Sequence, residues 1–236
     1  SAGRDEAKVR QKLVETGDVD VMIAIRSNFF YTRTVPCELW FLNRDKPKKY
    51  QDKVLMIDAR NIFRKVTRKI YDFSPEQEQN ILAIVRLYRG HTDKYLSLVA
   101  DYCRRCLDNS EGCFTLQDDN GNKVDPLPSF TGLLADLRET LDPFLKTLPA
   151  DGPQAEPLKE LDEAISTFQN DMKSFQKTVT EKQAAWNKQK TTNGDLKKAV
   201  DRLTPLAETS RNLVKQTDLL YKIACRLIET CENKCE

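Results

Sequence analysis

The sequence predicts an α+β protein that is mostly helical. Three short apolar runs within the first 60 residues have the character of β-strands, whereas the last third of the chain carries two long apolar stripes at helical spacing. Glycine and proline number only 8 and 10 among 236 residues, which favours long regular elements over a loop-rich β fold. We therefore expect a small sheet near the start of the chain and helices in the remainder.

The predicted sheet follows a short helix. Residues 6–16 place apolar side chains on one side and end at Gly17, which is typical of a helix terminus. Residues 19–25 (VDVMIAI) form a continuous apolar, β-branched run, the pattern of a strand covered on both faces. Two further strands are predicted at residues 35–42 and 53–58, and a polar, basic linker separates them.

Helical periodicity is predicted to begin after the third strand. From Ala59 onward, Arg60, Arg64 and Arg68 recur at steps of four, so they are expected to share one helix face. That face could contact phosphates, but a solvated face is the simpler interpretation. Ser74 is a predicted N-cap, because a proline follows it and a glutamine at the third helical position completes a capping box.

Two more helices are predicted before the last third of the chain. One runs through residues 95–102, and the other covers residues 130–148, where Pro143 is expected to bend or break it. Residues 118–122 (DDNGN) form a turn that can close a β-hairpin.

The last third predicts an antiparallel coiled-coil hairpin of two long helices. A first stripe at alternating steps of three and four consists of Leu158, Leu161, Ile165, Phe168, Met172, Phe175, Val179 and Trp186. After a polar turn at residues 187–195, a second stripe consists of Leu203, Leu206, Ser210, Leu213, Thr217, Leu220, Ala224, Leu227 and Cys231. Such stripes hold two helices together, each roughly 45 Å long at 1.5 Å per residue. The two polar residues weaken the second stripe, which a partner helix could complete.

Charge and hydropathy exclude several classes of protein. The formal net charge is only +2, from 38 basic and 36 acidic residues, so a nucleic-acid partner would need a local basic patch. No run approaches the ~18 apolar residues of a membrane helix, and the first residues lack the apolar core of a signal peptide. We therefore expect a cytoplasmic protein without a membrane partner.

The residues that most enzymes use are scarce in this sequence. His91 is the only histidine, no glycine-rich phosphate loop occurs, and we expect no catalytic residue in this segment. Cys103, Cys106 and Cys113 could supply three zinc ligands with His91 as the fourth. The first two lie on a predicted helix without a second CxxC motif, so we expect no metal site and free thiols.

Three consecutive aromatic residues, Phe29, Phe30 and Tyr31, stand in the connection between the first two strands. At that place they can stack on a flat ligand such as an extruded nucleobase, or they can pack the loop against a helix. Chemistry alone favours neither interpretation. Nearby basic residues that could contact a DNA backbone are Arg33, Arg44, Lys46 and Lys48.

Residues 8–90 resemble a known family. The stretch VRQKLVETGDVDVMIAIRSNFFYTRTVPCELWFLNRDK, followed by KVLMIDAR, is similar to the end of the methyltransferase domain in methylation (M) subunits of type I restriction–modification systems. DFSPEQEQNILAIVRLYRG is similar to the helix that follows that domain. The family consists of gamma-class DNA adenine-N6 methyltransferases that use S-adenosylmethionine.

The resemblance implies a role for each part of the chain. Residues 1–60 would be the edge of a Rossmann-like methyltransferase domain, residues 61–150 a helical connector, and residues 151–236 a helical hairpin that docks a partner subunit. Phe30 matches the family's aromatic that stacks on the flipped adenine, and Phe29 and Tyr31 flank it. The implied partners are DNA, the specificity (S) subunit and the restriction (R) subunit.

The sequence departs from the family in one large respect. The glycine-rich cofactor motif and the Asn-Pro-Pro-Phe catalytic loop are both absent. We therefore expect a C-terminal fragment that binds no S-adenosylmethionine by itself and is inactive alone. The alternative is a non-enzymatic assembly module whose function lies in the helical hairpin.

Overall fold

The computed structural model describes residues 3–30 and 34–232, and the chain divides into two compact units at residues 1–98 and 99–236. The helices of the described residues are α1 (Arg4–Glu15), α2 (Pro75–Tyr88), α3 (Thr92–Gly112), α4 (Pro126–Leu145), α5 (Ala155–Trp186) and α6 (Asn193–Glu232). The strands are β1 (Val19–Ile25), β2 (Cys37–Leu42), β3 (Leu55–Asp58), β4 (Arg64–Lys65), β5 (Tyr71–Asp72), β6 (Leu116–Gln117) and β7 (Lys123–Val124). The predicted α+β class with predominant helix is confirmed.

The main sheet of the first unit has the strand order β2-β1-β3. Strand β1 pairs antiparallel with β2, so Ile25 lies opposite Cys37 and Val19 lies opposite Leu42. Strand β3 runs parallel to β1. The carboxyl ends of β1 and β3 therefore meet the amino end of β2 at one end of the sheet, which we call the aromatic end because Phe30 follows β1 there.

Helix α2 covers one face of the main sheet, and the opposite face lines an open groove in the described part of the chain. Val21, Ile23 and Ile57 are buried on this face with Ile81 of the helix. On the opposite face Met56 is 72% exposed and lines an open groove of about 730 Å³. The prediction that β1 is covered on both faces is therefore wrong for the described residues.

The predicted helix after Ala59 is also wrong, because residues 59–73 form a turn and a short β-hairpin. Strands β4 and β5 pair antiparallel, with Arg64 opposite Asp72 and their side chains 2.6 Å apart. Arg60 turns back instead to bind Asp58 at 2.7 Å. These local ion pairs and the β-branched residues of the hairpin compete with helix formation, so the three arginines do not share a helix face.

Helix α2 begins as the sequence predicts. The Ser74 hydroxyl accepts a hydrogen bond from the Gln77 backbone at 3.3 Å, and the Gln77 side chain accepts one from the Ser74 backbone at 3.0 Å. Each partner satisfies a backbone N–H that the first helical turn leaves free. The same glutamine donates to the Phe63 carbonyl, which ties the helix start to the β4–β5 hairpin.

The second unit is built on the helical hairpin of α5 and α6. Gln216 donates to Asp171 at 2.7 Å near the middle of the two helices, and Arg202 donates to Gln189 at 2.7 Å near their connecting turn. These pairs confirm the antiparallel arrangement. The buried seam includes the predicted residues Leu161, Phe168, Phe175, Leu213, Leu220 and Leu227, with Leu134 of α4 and Leu107 of α3 packed in the same core.

The polar residues of the second stripe are satisfied within their own helix. Ser210 donates to the Ala207 carbonyl at 3.0 Å, and Thr217 donates to the Val214 carbonyl at 2.7 Å.

Pro143 lies inside α4, which continues to Leu145 and is not broken there. None of the described helices has an apolar stretch long enough to cross a bilayer.

Replacing Leu220 by alanine tests the packing of the helical hairpin. This side chain is 1% exposed, whereas the neighbouring Leu219 is 51% exposed on the same helix. We expect Leu220→Ala to lower the free energy of unfolding by about 2–5 kcal/mol, and Leu219→Ala to change it by less than about 0.5 kcal/mol. Urea unfolding followed by far-UV circular dichroism measures both. Equal midpoints for the two variants would contradict this packing.

Candidate nucleic-acid interface

The chain turns sharply at the aromatic end of the sheet and gives two neighbouring phenylalanines different surroundings. Asn28 has a φ of +61°, in the left-handed region that asparagine tolerates better than most residues. Phe29 packs on Phe73 with ring centroids 4.5 Å apart. Phe30 stands edge-on to Phe29 at 6.0 Å and is 42% exposed. Phe29 therefore anchors the loop, and Phe30 presents a ring surface to solvent.

Two of the predicted site residues, Tyr31 and Arg33, lie outside the described residues. Phe29 follows the packing interpretation and Phe30 has the exposure that the stacking interpretation needs. Base stacking by Phe30 therefore stays a prediction, with which its exposure is compatible.

Arg26 joins the aromatic loop to the β4–β5 hairpin. Its guanidinium carbon lies 3.8 Å from the ring centroid of Phe63 and 3.8 Å from that of Tyr71. Its Nε is buried without a hydrogen-bond partner among the described residues, so the two rings are the contacts that hold this end of the side chain. The Tyr71 backbone also donates to the Asn28 carbonyl at 3.3 Å. Sequence reasoning missed this arrangement.

Three of the basic residues predicted to contact a DNA backbone, Arg44, Lys46 and Lys48, lie at the opposite end of the sheet. Because β2 runs antiparallel to β1, the loop that follows it, with Arg44 and Lys48, returns to the end where β1 begins. Both residues are exposed, but they do not lie beside Phe30 as the sequence suggested.

Lys46 serves the fold and is only 5% exposed. Its ammonium donates to the Val19 carbonyl at 2.6 Å and to the Lys53 carbonyl at 2.5 Å. The nearby Asp20 carboxylate is also buried and accepts from Arg89 at 2.6 Å. Burial of a charge is tolerated only with such partners, so Lys46 is not available to a phosphate. The predicted contact of Lys46 with a DNA backbone is therefore wrong.

The aromatic end has basic residues of its own, in two groups. Arg60 donates hydrogen bonds to Asp58, which hold the pKa of that carboxyl at about 2. Arg64 in the same way lowers the pKa of Asp72, so both arginines face an ionised carboxylate at neutral pH. The second group, at the tip of the β4–β5 hairpin, is exposed and forms no ion pair with the described residues: Lys65, Arg68 and Lys69.

The described residues do not assemble a metal centre. No three histidine, cysteine, aspartate or glutamate side chains converge there as ligands. Burial raises the pKa of the Cys103, Cys106 and Cys113 thiols, which favours the protonated form that metals bind poorly.

The residues present also do not fit S-adenosylmethionine. A nucleotide cofactor of this kind needs a glycine-rich turn that follows a strand and lets the backbone approach it closely. The glycines beside the main sheet are Gly17, which precedes β1, and Gly90, which follows α2. The sequence of the loops that begin at the carboxyl ends of β1 and β3, residues 26–36 and 59–63, contains no glycine.

The first unit lies within a region that matches a known protein family. Residues 1–105 match the model of the family described as N-6 DNA Methylase. This part of the chain is therefore similar to the N-6 DNA methylases. The matched region includes the main sheet, the aromatic loop and the β4–β5 hairpin, and it ends within α3. Residues 106–236 lie outside it.

Curated relatives are similar to the same part of the chain. The type I restriction enzyme MjaIX methylase subunit of Methanocaldococcus jannaschii is 29% identical over 94 residues, which cover 40% of this chain and 17% of that protein. The HindI methylase subunit of Haemophilus influenzae is 33% identical over 76 residues, covering 32% of this chain and 17% of that protein. The predicted resemblance to methylation subunits is confirmed. No solved structure matches the chain significantly.

Replacing Arg26 by methionine tests the contact that joins loop and hairpin. The variant keeps an apolar stem but loses two cation–π contacts, each worth about 0.5–1 kcal/mol. We expect the Tyr71 amide to exchange with solvent about 5–30-fold faster, because its hydrogen bond to Asn28 opens more often. Hydrogen exchange by NMR measures this. The exposed Arg68→Met is the matched control, and equal protection in both variants would show that the stack does not hold the hairpin.

Proposed function

We propose that this chain is the C-terminal part of the methylation subunit of a type I restriction–modification system. The parent protein would methylate the N6 amino group of adenine in specific DNA sequences. The family match over residues 1–105 and the similarity to type I methylase subunits support the assignment. The chain matches only about a sixth of the length of those relatives, with 17% of the first covered.

Phe30 is the residue through which this segment would act. An adenine inside a duplex is out of reach of a methyltransferase, so it has to be rotated out of the helix. The exposed ring of Phe30 offers a flat surface on which that base would stack, and the contact between Phe29 and Phe73 keeps the loop from collapsing. The exposed position of this one ring is the observation that carries the proposal.

S-adenosylmethionine would supply the methyl group in the parent protein. Because the residues of this chain do not fit that cofactor, we assign its binding, and the group that polarises the adenine amino nitrogen, to the rest of the parent protein. This segment by itself would therefore be inactive. The coding sequence upstream of this segment tests this point, because we expect it to encode, in the same reading frame, a glycine-rich motif followed by Asn-Pro-Pro-Phe.

The helical hairpin of the second unit would dock the S subunit and thereby the R subunit. Helix α6 presents apolar side chains to solvent at multiples of about seven residues, with Val200 43%, Val214 65% and Tyr221 65% exposed. Such an outer stripe is typical of a surface that another helix covers. The same observation favours the second candidate, an assembly module without enzymatic function, for which no upstream methyltransferase motif is expected.

Phe30→Ala tests the role in base stacking, and Phe41→Ala is its matched control, since the Phe41 side chain is 46% exposed on the edge strand β2. The probe is a duplex with one adenine opposite an abasic site, compared with the fully paired duplex. We expect the wild-type chain to prefer the unpaired adenine, and Phe30→Ala to lose about 1–3 kcal/mol of that preference. Fluorescence anisotropy gives both affinities.

The two duplexes separate stacking from general attraction to DNA. Phe41→Ala is expected to keep the wild-type preference, because its ring lies toward the other end of the sheet. A preference that survives in Phe30→Ala, or that disappears equally in both variants, would contradict the assignment of Phe30.

A further inference from the structure

We propose that the β4–β5 hairpin, residues 63–72, binds the phosphates of duplex DNA beside the extruded base. This inference rests on the proposed function, since it gives the aromatic end of the sheet a second contact with the same DNA. The hairpin would position the duplex, whereas Phe30 would hold the target base.

Charge is concentrated in the hairpin. It carries four basic residues and one acidic residue, a net charge of +3 by subtraction, in a chain whose whole net charge is only +2. Asp72 neutralises Arg64 at 2.6 Å. Lys65, Arg68 and Lys69 remain exposed, and no carboxylate pairs with them in the described part of the chain. Exposed cations without an internal partner are free to bind an anion.

The hairpin is held beside Phe30 by contacts to the loop before it. The Arg26 guanidinium stacks on Phe63 and Tyr71 at 3.8 Å from each ring. Immediately after β5, Phe73 contacts Phe29, the neighbour of Phe30, at 4.5 Å. A phosphate bound by the hairpin would therefore lie close to a base stacked on Phe30, as the flipped nucleotide requires.

The backbone at the tip of the hairpin is also held by local hydrogen bonds. The Val66 and Thr67 backbones both donate to the Ile70 carbonyl, at 3.0 and 3.2 Å, and the Lys69 backbone donates to the Thr67 hydroxyl at 3.3 Å. An ordered backbone lowers the entropy cost of binding, because only the long side chains remain to be immobilised.

The opposite end of the sheet offers an internal control. Arg44, Lys48 and Lys49 are also exposed and carry the same charge, but they lie at the end where β1 begins. If the chain bound DNA only through a general attraction to basic residues, removal of either set of three would weaken binding by the same amount. A site at the aromatic end would depend on the hairpin set alone.

The experiment compares two triple variants of the full 236-residue chain. One carries Lys65→Gln, Arg68→Gln and Lys69→Gln, and the control carries Arg44→Gln, Lys48→Gln and Lys49→Gln. Both are titrated by fluorescence anisotropy with the paired duplex and with the duplex that contains the unpaired adenine, between 50 and 200 mM salt. Circular dichroism checks that each variant is folded.

We expect the hairpin variant to bind both duplexes at least tenfold more weakly at the lowest salt. The slope of log affinity against log salt should become shallower by about 2–3, because each lost phosphate contact removes about 0.9. Its preference for the unpaired adenine should persist, since Phe30 is unchanged. The control variant should keep the wild-type affinity within about twofold and the wild-type slope.

Other outcomes are decisive in different ways. Equal losses in both variants, or none in the hairpin variant, overturn the hairpin assignment and leave that of Phe30 intact. A hairpin effect without any preference for the unpaired adenine contradicts the proposed function of Phe30 alone. A wild-type chain that binds neither duplex overturns both proposals. Displacement of DNA by phosphatidylglycerol vesicles at equal phosphate concentration assigns the hairpin to membranes and overturns the DNA assignment.

Discussion

The contact of the Arg26 guanidinium with the rings of Phe63 and Tyr71 is the one on which the candidate interface depends. It couples the residue directly after the central strand to a hairpin that begins more than 35 positions later in the chain. Without this contact, the exposed ring of Phe30 and the basic tip of the hairpin would be two unrelated surface features. With it, a flat apolar surface and a group of free cations share one end of the sheet, which is the combination that an extruded base and its phosphate backbone require.

The direction of strand pairing decides which charges belong to that interface. Antiparallel pairing of β1 and β2 carries the basic loop around Arg44 away from Phe30, and parallel pairing of β3 brings Arg60 and the hairpin toward it. At the other end, Lys46 and the pair of Asp20 and Arg89 are buried and satisfied, so their charges support the fold. Apparent similarity of basic residues in the sequence thus conceals two distinct roles.

The family match and the two compact units have different boundaries, and this difference bears on function. The match ends within α3, shortly after the first unit, and the helical hairpin with its exposed stripe on α6 lies beyond it. The part that resembles a methyltransferase contains the candidate interface, and the part outside the match contains the apolar surface suited to a partner helix. This arrangement agrees with the proposed division between DNA contact and subunit docking.

Local patterns in the sequence by themselves determined most of the elements: the three strands, the capping box at Ser74, and the seam of α5 and α6 at Leu161 and Leu220. Each depends on spacings of two to seven residues, which the chain carries before it folds. The tertiary structure decided that residues 59–73 form a turn and a hairpin, that Lys46 is internal, and that Phe30 and not Phe29 is exposed. These outcomes depend on contacts between residues far apart in the chain, and no local pattern specifies such contacts.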